Sequence, residues 1–194
     1  MTKDTERAQV GWGFWGWWVL ASSVGFAVVF FVGRFMGYVG GGAVLGAVFG
    51  AVAGAVAGAS IGIAQWLVLW RQVSRPGRWV LSSTVGLAAT FAVLLAVGEA
   101  VGNIGAVFVG GNGARASVGA VAGASIGIAQ WLFLRRQVSR PGWWVLSSIV
   151  GLAVGFAVGR GKGLAVGEAV GGVVYGAITG GVLVWLLRQP RPEA

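Results

Sequence analysis

The chain has 194 residues and a net charge of +9, with 14 Lys and Arg against 5 Asp and Glu and neither cysteine nor histidine. Hydrophobic residues make up 57% and charged residues 10%, against about 25% charged in an ordinary soluble domain, and mean hydropathy is +0.83. This excludes a soluble globular domain, disulfide and thiolate chemistry, imidazole acid–base chemistry and the usual haem and zinc ligands.

Residues 1–10 read as a short solvated tail of mixed charge (Lys3, Asp4, Glu6, Arg7). Gly11-Trp12-Gly13-Phe14-Trp15-Gly16-Trp17-Trp18 then reads as an aromatic anchor at a membrane interface. A first span is expected over 17–33, stopping at Arg34. A cleavable signal peptide is the competing reading of this region. It is set aside because the pattern of residues 16–25, Gly-Trp-Trp-Val-Leu-Ala-Ser-Ser-Val-Gly, recurs with small changes at 77–86 and 142–151.

The second span, 43–70, contains the chain's most regular stretch. Glycine falls on every fourth residue: Gly42, Gly46, Gly50, Gly54, Gly58 and Gly62. In a soluble helix each would cost about 1 kcal/mol against alanine. In lipid, small residues let two backbones approach and gain dispersion contacts. A four-residue beat drifts about 40° per step on a 3.6-residue helix, so the row winds around the helix. It can meet two neighbours, or one neighbour at a right-handed crossing. Gly119, Gly123 and Gly127 form a shorter row of the same kind.

The loop 71–77 contains Pro76, which cannot continue a helix, and Gly77, which permits a turn. A third span is expected over 78–101, a glycine-rich loop over 102–114, and a fourth span over 115–134. A second copy of the basic loop precedes a fifth span over 143–159. The turn Arg160-Gly161-Lys162-Gly163 leads to a sixth span over 164–187. The whole chain is therefore read as one transmembrane domain, 1–194. The spans are too long, and too free of period-two alternation, for the strands of a barrel.

Residues 54–83 match 119–148 at an offset of 65, differing only at Val68/Phe133, Trp70/Arg135 and Arg78/Trp143. Each copy is a hairpin: a glycine-rich helix ending in Gln-Trp-Leu, a basic loop, and a helix opening Trp-Val-Leu-Ser-Ser. The first span looks like the second half of such a unit and the sixth like the first half. The expected architecture is all-α and polytopic: six transmembrane helices from three hairpin repeats, the third split between the termini, with glycine-zipper packing. Closure into a six-helix ring with a pseudo-threefold axis is one outcome, and an open row of helices is the other.

Ten basic residues sit at the Trp-bearing ends of the spans (Lys3, Arg7, Arg71, Arg75, Arg78, Arg135, Arg136, Arg140, Arg188, Arg191). Four sit at the opposite ends (Arg34, Arg115, Arg160, Lys162). The positive-inside rule then places both termini in the cytoplasm of a bacterial inner membrane. All eleven Trp are expected near that face, and Phe30, Phe31, Phe35, Tyr38, Phe108 and Tyr175 toward the other. The basic surplus suits anionic lipid headgroups at Arg71, Arg75, Arg135, Arg136 and Arg140 better than nucleic acid. A homo-oligomer or a membrane protein partner is also compatible.

Few residues suggest chemistry. Gln65 shares a helical face with Gly58 and Gly62. With Gln130, Ser60, Ser125 and Thr179 it forms a candidate polar layer, read as interhelical hydrogen bonding or as the lining of a path. In the sixth span, Val184 is expected at the place of Gln65. The paired serines Ser22-Ser23, Ser82-Ser83 and Ser147-Ser148 suit hydroxyl bonds back to the helix or to a neighbour. No histidine is present to activate a serine. Glu99 and Glu168 lie in identical Gly-Glu-Ala-Val-Gly pentapeptides and are candidate carboxylates at the outer interface. Each could form a local ion pair with Arg115, Arg160 or Lys162, or contribute to a cation site. The Gly-x-Gly triplets follow no strand and are not nucleotide loops. No cofactor, metal or catalytic residue is expected.

The string Gly-Ala-Ser-Ile-Gly-Ile-Ala-Gln-Trp-Leu-Val-Leu (58–69), with the basic loop and Gly77-Arg78-Trp79-Val80-Leu81-Ser82-Ser83, resembles a group of uncharacterised, glycine-rich bacterial membrane proteins of cyanobacterial type. They repeat similar Gln-Trp-Leu and Trp-Trp-Val motifs. The resemblance covers nearly the whole chain. It implies an integral membrane repeat protein and supplies neither an activity nor functional residues. The function expected is structural or accessory, with a membrane partner or lipid as the candidate ligand; the alternative is a small channel or transporter along the pseudo-threefold axis.

Overall fold

Apolar runs of this length satisfy their backbone groups in lipid only as helices or closed barrels, and here they form helices. A computed structural model describes residues 10–36, 42–70, 72, 77–100, 111–159 and 164–189. These hold six α-helices: α1 (Trp12–Met36), α2 (Gly42–Leu69), α3 (Gly77–Ala100), α4 (Asn112–Leu134), α5 (Gly142–Val158) and α6 (Leu164–Arg188). Within them, α2, α3, α4 and Val166–Arg188 are long and apolar enough to cross a membrane, and α5 is apolar but only 17 residues long. The loops at 101–110 and 160–163, Arg71, Arg75, Tyr38, Phe108 and the side chains of Phe30, Phe31, Arg34 and Phe35 lie outside the described residues.

Three boundaries differ from expectation, one of them the end of α1, which runs through Arg34 to Met36. Helix α1 begins at Trp12, not at 17, because Phe14 and Trp18 are core residues and draw the aromatic stretch into the bundle. Helix α4 begins at Asn112, ahead of Arg115.

The helices form a ring in which α2–α3, α4–α5 and α6–α1 are tight pairs, joined through α1–α2, α3–α4 and α5–α6. The split unit is closed by three contacts: Trp15 Nε1 donates to Ala177 O (3.1 Å), Trp18 Nε1 to Thr179 Oγ1 (3.1 Å), and Arg188 Nε to Val10 O (2.9 Å). An open row of helices is not what forms.

Glycine sets how close the pairs come. A Cβ at Gly50, Gly54 or Gly58 would collide with the carbonyl oxygens of Phe91, Leu87 and Ser83. At Gly46 it would lie 3.1 Å from Leu95 O, and at Gly62 2.9 Å from the Cα of Val80. All five glycines therefore press on α3, and the row serves one partner. A beat longer than 3.6 residues stays on one partner when the two helices wrap right-handedly. Gly42 is different. It has φ +81 and would meet nothing within 4 Å, so it makes the turn into α2 and packs no helix. Gly119, Gly123 and Gly127 repeat the contact against Leu152, Ser148 and Val145 of α5.

These contacts fix the register of the split unit. Gly62 approaches Val80 and Ser83, Gly127 approaches Val145 and Ser148, and Gly176 approaches Val19 and Ser22. Three residues further on come Gln65, Gln130 and Thr179. Thr179 thus stands at the place of the glutamines. It does not match Ser60 and Ser125, and Val184 does not match Gln65. Pairing hydroxyl with hydroxyl misaligns the sixth span by five residues.

Candidate functional site

The level at which the three units converge is built from indoles. Trp18, Trp79 and Trp144 are fully buried, and each meets the other two edge-on. Their ring centroids are 5.8 Å (Trp18–Trp79), 6.0 Å (Trp18–Trp144) and 5.2 Å (Trp79–Trp144) apart. Edge-to-face pairs of this kind contribute about 0.5–1.5 kcal/mol each beyond area burial. Leu69, Leu134, Leu183 and Leu186 complete this part of the core.

Each indole N–H finds an acceptor on the glycine-rich helix of its own unit. Trp79 donates to Gln65 Oε1 (3.0 Å), Trp144 to Gln130 Oε1 (2.9 Å) and Trp18 to Thr179 Oγ1 (3.1 Å). The glutamines then reach across to the neighbouring unit. Gln65 Nε2 donates to Ser22 Oγ (3.2 Å) and Gln130 Nε2 to Ser83 Oγ (2.8 Å). Both glutamines are completely buried, and each ties three helices together.

The third unit lacks this tie. Thr179 has no amide, and its hydroxyl donates to Tyr175 O (2.7 Å). Ser148, equivalent to Ser22 and Ser83, is buried with no hydrogen-bond partner for Oγ. Tyr175 occupies the position of Ile61 and Ile126. Its hydroxyl comes close to Gln65 and Ser148 without making a well-formed bond to the serine. Tyr175 is fully buried in the part of the core beyond the indoles, away from the Trp-bearing end, its ring 5.5 Å from that of Phe26.

The candidate layer therefore divides. Gln65, Gln130 and Thr179 form it, together with Ser22 and Ser83. Ser60 and Ser125 donate back to Val56 O (2.8 Å) and Val121 O (3.0 Å) within their own helices and stand outside it.

Glu168 lies at the far end, on the edge of a cavity of about 20 Å³ on the axis that Phe26, Ala57, Leu87, Ala122 and Leu152 help to line. By the register above it takes the place of Gly54 and Gly119. It lies in the first turns of α6, and its partner is Arg115, at 3.7 Å. Arg115 Nε also donates to Phe156 O (2.9 Å). Glu99 is half-buried, its Cγ against Gly46.

On the outer surface, Phe14, Trp17, Leu20 and Val24 of α1 and Leu67, Val68 and Trp70 at the end of α2 line an apolar groove of about 610 Å³.

The sequence reading treats all Trp as interface residues and so misses the buried three. A signal is present. In Trp17-Trp18-Val19, Arg78-Trp79-Val80 and Trp143-Trp144-Val145 the first position varies between Trp and Arg and the second is always Trp. A position that never exchanges indole for guanidinium is facing protein. No protein-family model matches the chain, and no curated protein or solved structure was found similar to it.

Proposed function

We propose that the protein is an integral membrane protein of structural or accessory type, a rigid helical body that packs through a glycine zipper and presents its surface to lipid or to a membrane partner. The observation that carries this reading is the indole triad on the axis. Three fully buried tryptophans with centroids 5.2–6.0 Å apart leave no room for water to pass between them. The axial space beyond them is about 20 Å³, about enough for one water. The amide oxygen and nitrogen of Gln65 and of Gln130 are each engaged by protein, as expected of helix glue. The channel or transporter reading draws on the ring and its polar layer, and the closed axis counts against it. The resemblance to bacterial membrane repeat proteins agrees with the structural reading, as does the lack of histidine and cysteine for catalysis.

The basic surplus at the Trp-bearing end supports an orientation with that end, and both termini, in the cytoplasm of a bacterial inner membrane. Thermal unfolding in detergent tests the packing role. Gly54→Leu drives a side chain into the Leu87 carbonyl and should abolish the folded monomer or lower its midpoint by many degrees. An unchanged midpoint would refute the role.

A further inference from the structure

We propose that the seam between α3 and α4 is a binding site for an anionic phospholipid of the leaflet at the Trp-bearing end, with Arg78 and Arg135 holding its phosphate. This deepens the accessory reading above by naming the lipid and its place, and it rests on the membrane embedding which that reading assumes.

The inference comes from comparing seams. At the α1–α2 seam the structure contains an open apolar groove whose end is marked by Trp17 and Trp70. Both indoles are exposed, the posture of residues at a headgroup boundary. The register carries residues of this groove to the next seam. Gly25 approaches Ile61 across the first seam just as Gly86 approaches Ile126 across the second. Leu20, Val24 and Leu67 become Leu81, Val85 and Leu132, all exposed. Trp17 and Trp70 become Arg78 and Arg135, two of the three positions at which the long repeat differs.

Leu20, Val24 and Leu67 of the wall are thus matched by exposed apolar residues while both boundary residues turn cationic. Arg78 and Arg135 are exposed, Arg78 in the first turn of α3 and Arg135 just beyond α4. Among the described residues neither has an acidic partner. The Arg135 guanidinium lies 5.7 Å from the ring centroid of Trp131, leaning along its own helix. The N-terminus of α3 adds positive partial charge at the same level. Guanidinium pairs suit phosphate oxygens geometrically as well as by charge. Phe133 stands where Val68 lines the first groove and packs on Trp79, 6.4 Å between centroids. Acyl chains would lie along the exposed Leu81, Val85 and Leu132.

The test is native mass spectrometry of the full chain in detergent, titrated with a phosphatidylglycerol or a phosphatidylcholine of identical acyl chains. The wild type should hold one phosphatidylglycerol about 30-fold more tightly than phosphatidylcholine, from roughly 1 kcal/mol per arginine. Arg78→Trp with Arg135→Trp installs the residues of the first seam. It should remove that preference and leave phosphatidylcholine binding unchanged. Arg78→Gln with Arg135→Gln gives the same comparison if the tryptophan pair does not fold. Equal binding of the two lipids by the wild type, or an undiminished preference in the folded double variant, would overturn the site. So would displacement of the lipid by inorganic phosphate at equal concentration. Any of these leaves the packing role standing, since that role is tested by Gly54→Leu.

Discussion

The indole N–H of Trp79 is bonded to the amide oxygen of Gln65, and 65 residues along the chain Trp144 repeats the bond to Gln130. Each pair belongs to one hairpin, and each glutamine spends its N–H on a serine of the neighbouring hairpin. The same side chain therefore closes a unit and joins it to the next.

Removing Gln130 leaves one buried group without a partner and a second with one bond fewer, since Ser83 Oγ still donates to Trp79 O (2.9 Å). Gln130→Leu strips the Trp144 N–H of its acceptor and Ser83 of its donor. The loss should be about 1–3 kcal/mol, seen as a lowered unfolding midpoint in detergent. Ser60→Ala and Ser125→Ala, which only lose bonds within their own helices, should shift it by less than about 0.5 kcal/mol.

The third unit can be completed by substitution. Tyr175→Ile with Thr179→Gln writes the first two units into α6 and offers Ser148 the amide it lacks. The double variant should be more stable than wild type by roughly 0.6–1.7 kcal/mol, the range of interhelical hydrogen bonds in membranes. A less stable double variant would mean that Tyr175 contributes more than the missing tie.

Glycines in this chain should respond in opposite directions to the same change. Gly54→Ala puts a methyl against the Leu87 carbonyl and should destabilise strongly, because backbone cannot step aside as a side chain can. Gly181 is also helical, but its Cβ would meet nothing within 4 Å. Gly181→Ala should be neutral or stabilising by up to about 1 kcal/mol, because only helix propensity changes. Unfolding midpoints of the two variants, measured side by side in one detergent, check the contrast.

Arg115 and Glu168 should behave as a pair. Arg115→Ala leaves a carboxylate in apolar surroundings beside the axial cavity and should cost about 1–3 kcal/mol. Adding Glu168→Gly, the residue found at the equivalent places 54 and 119, should recover most of that loss in a double-mutant cycle.

The fold class was legible because composition and repeat length act over the whole chain. The glycine beat, the hairpin match at offset 65 and Pro76 together delimit helices α2 to α5. The split unit was legible as a unit but not in register. Thr179 looked like Ser60 by chemistry, and only the approach of Gly176 to Val19 shows that it answers to Gln65. Burial of Trp18, Trp79 and Trp144 was hidden for a different reason. Tryptophan suits both the headgroup boundary and a packed core, so its identity alone does not choose between them. The ion pair of Glu168 with Arg115 is one of the local pairings that the sequence offered.

The chain has no cysteine, so single-cysteine accessibility tests the closed axis most directly. Ala57→Cys lies beside the axial cavity and Thr179→Cys in the layer with the indoles. Ser139→Cys, on the exposed loop between α4 and α5, is the control. Each variant would be treated in membranes with a membrane-impermeant thiol reagent from either side. A sealed, dry core predicts that the loop control reacts from one side while the two axial variants react from neither. Labelling of Ala57→Cys and Thr179→Cys at rates near that of the control would show water on the axis. That result would contradict the packed body proposed here and restore the channel.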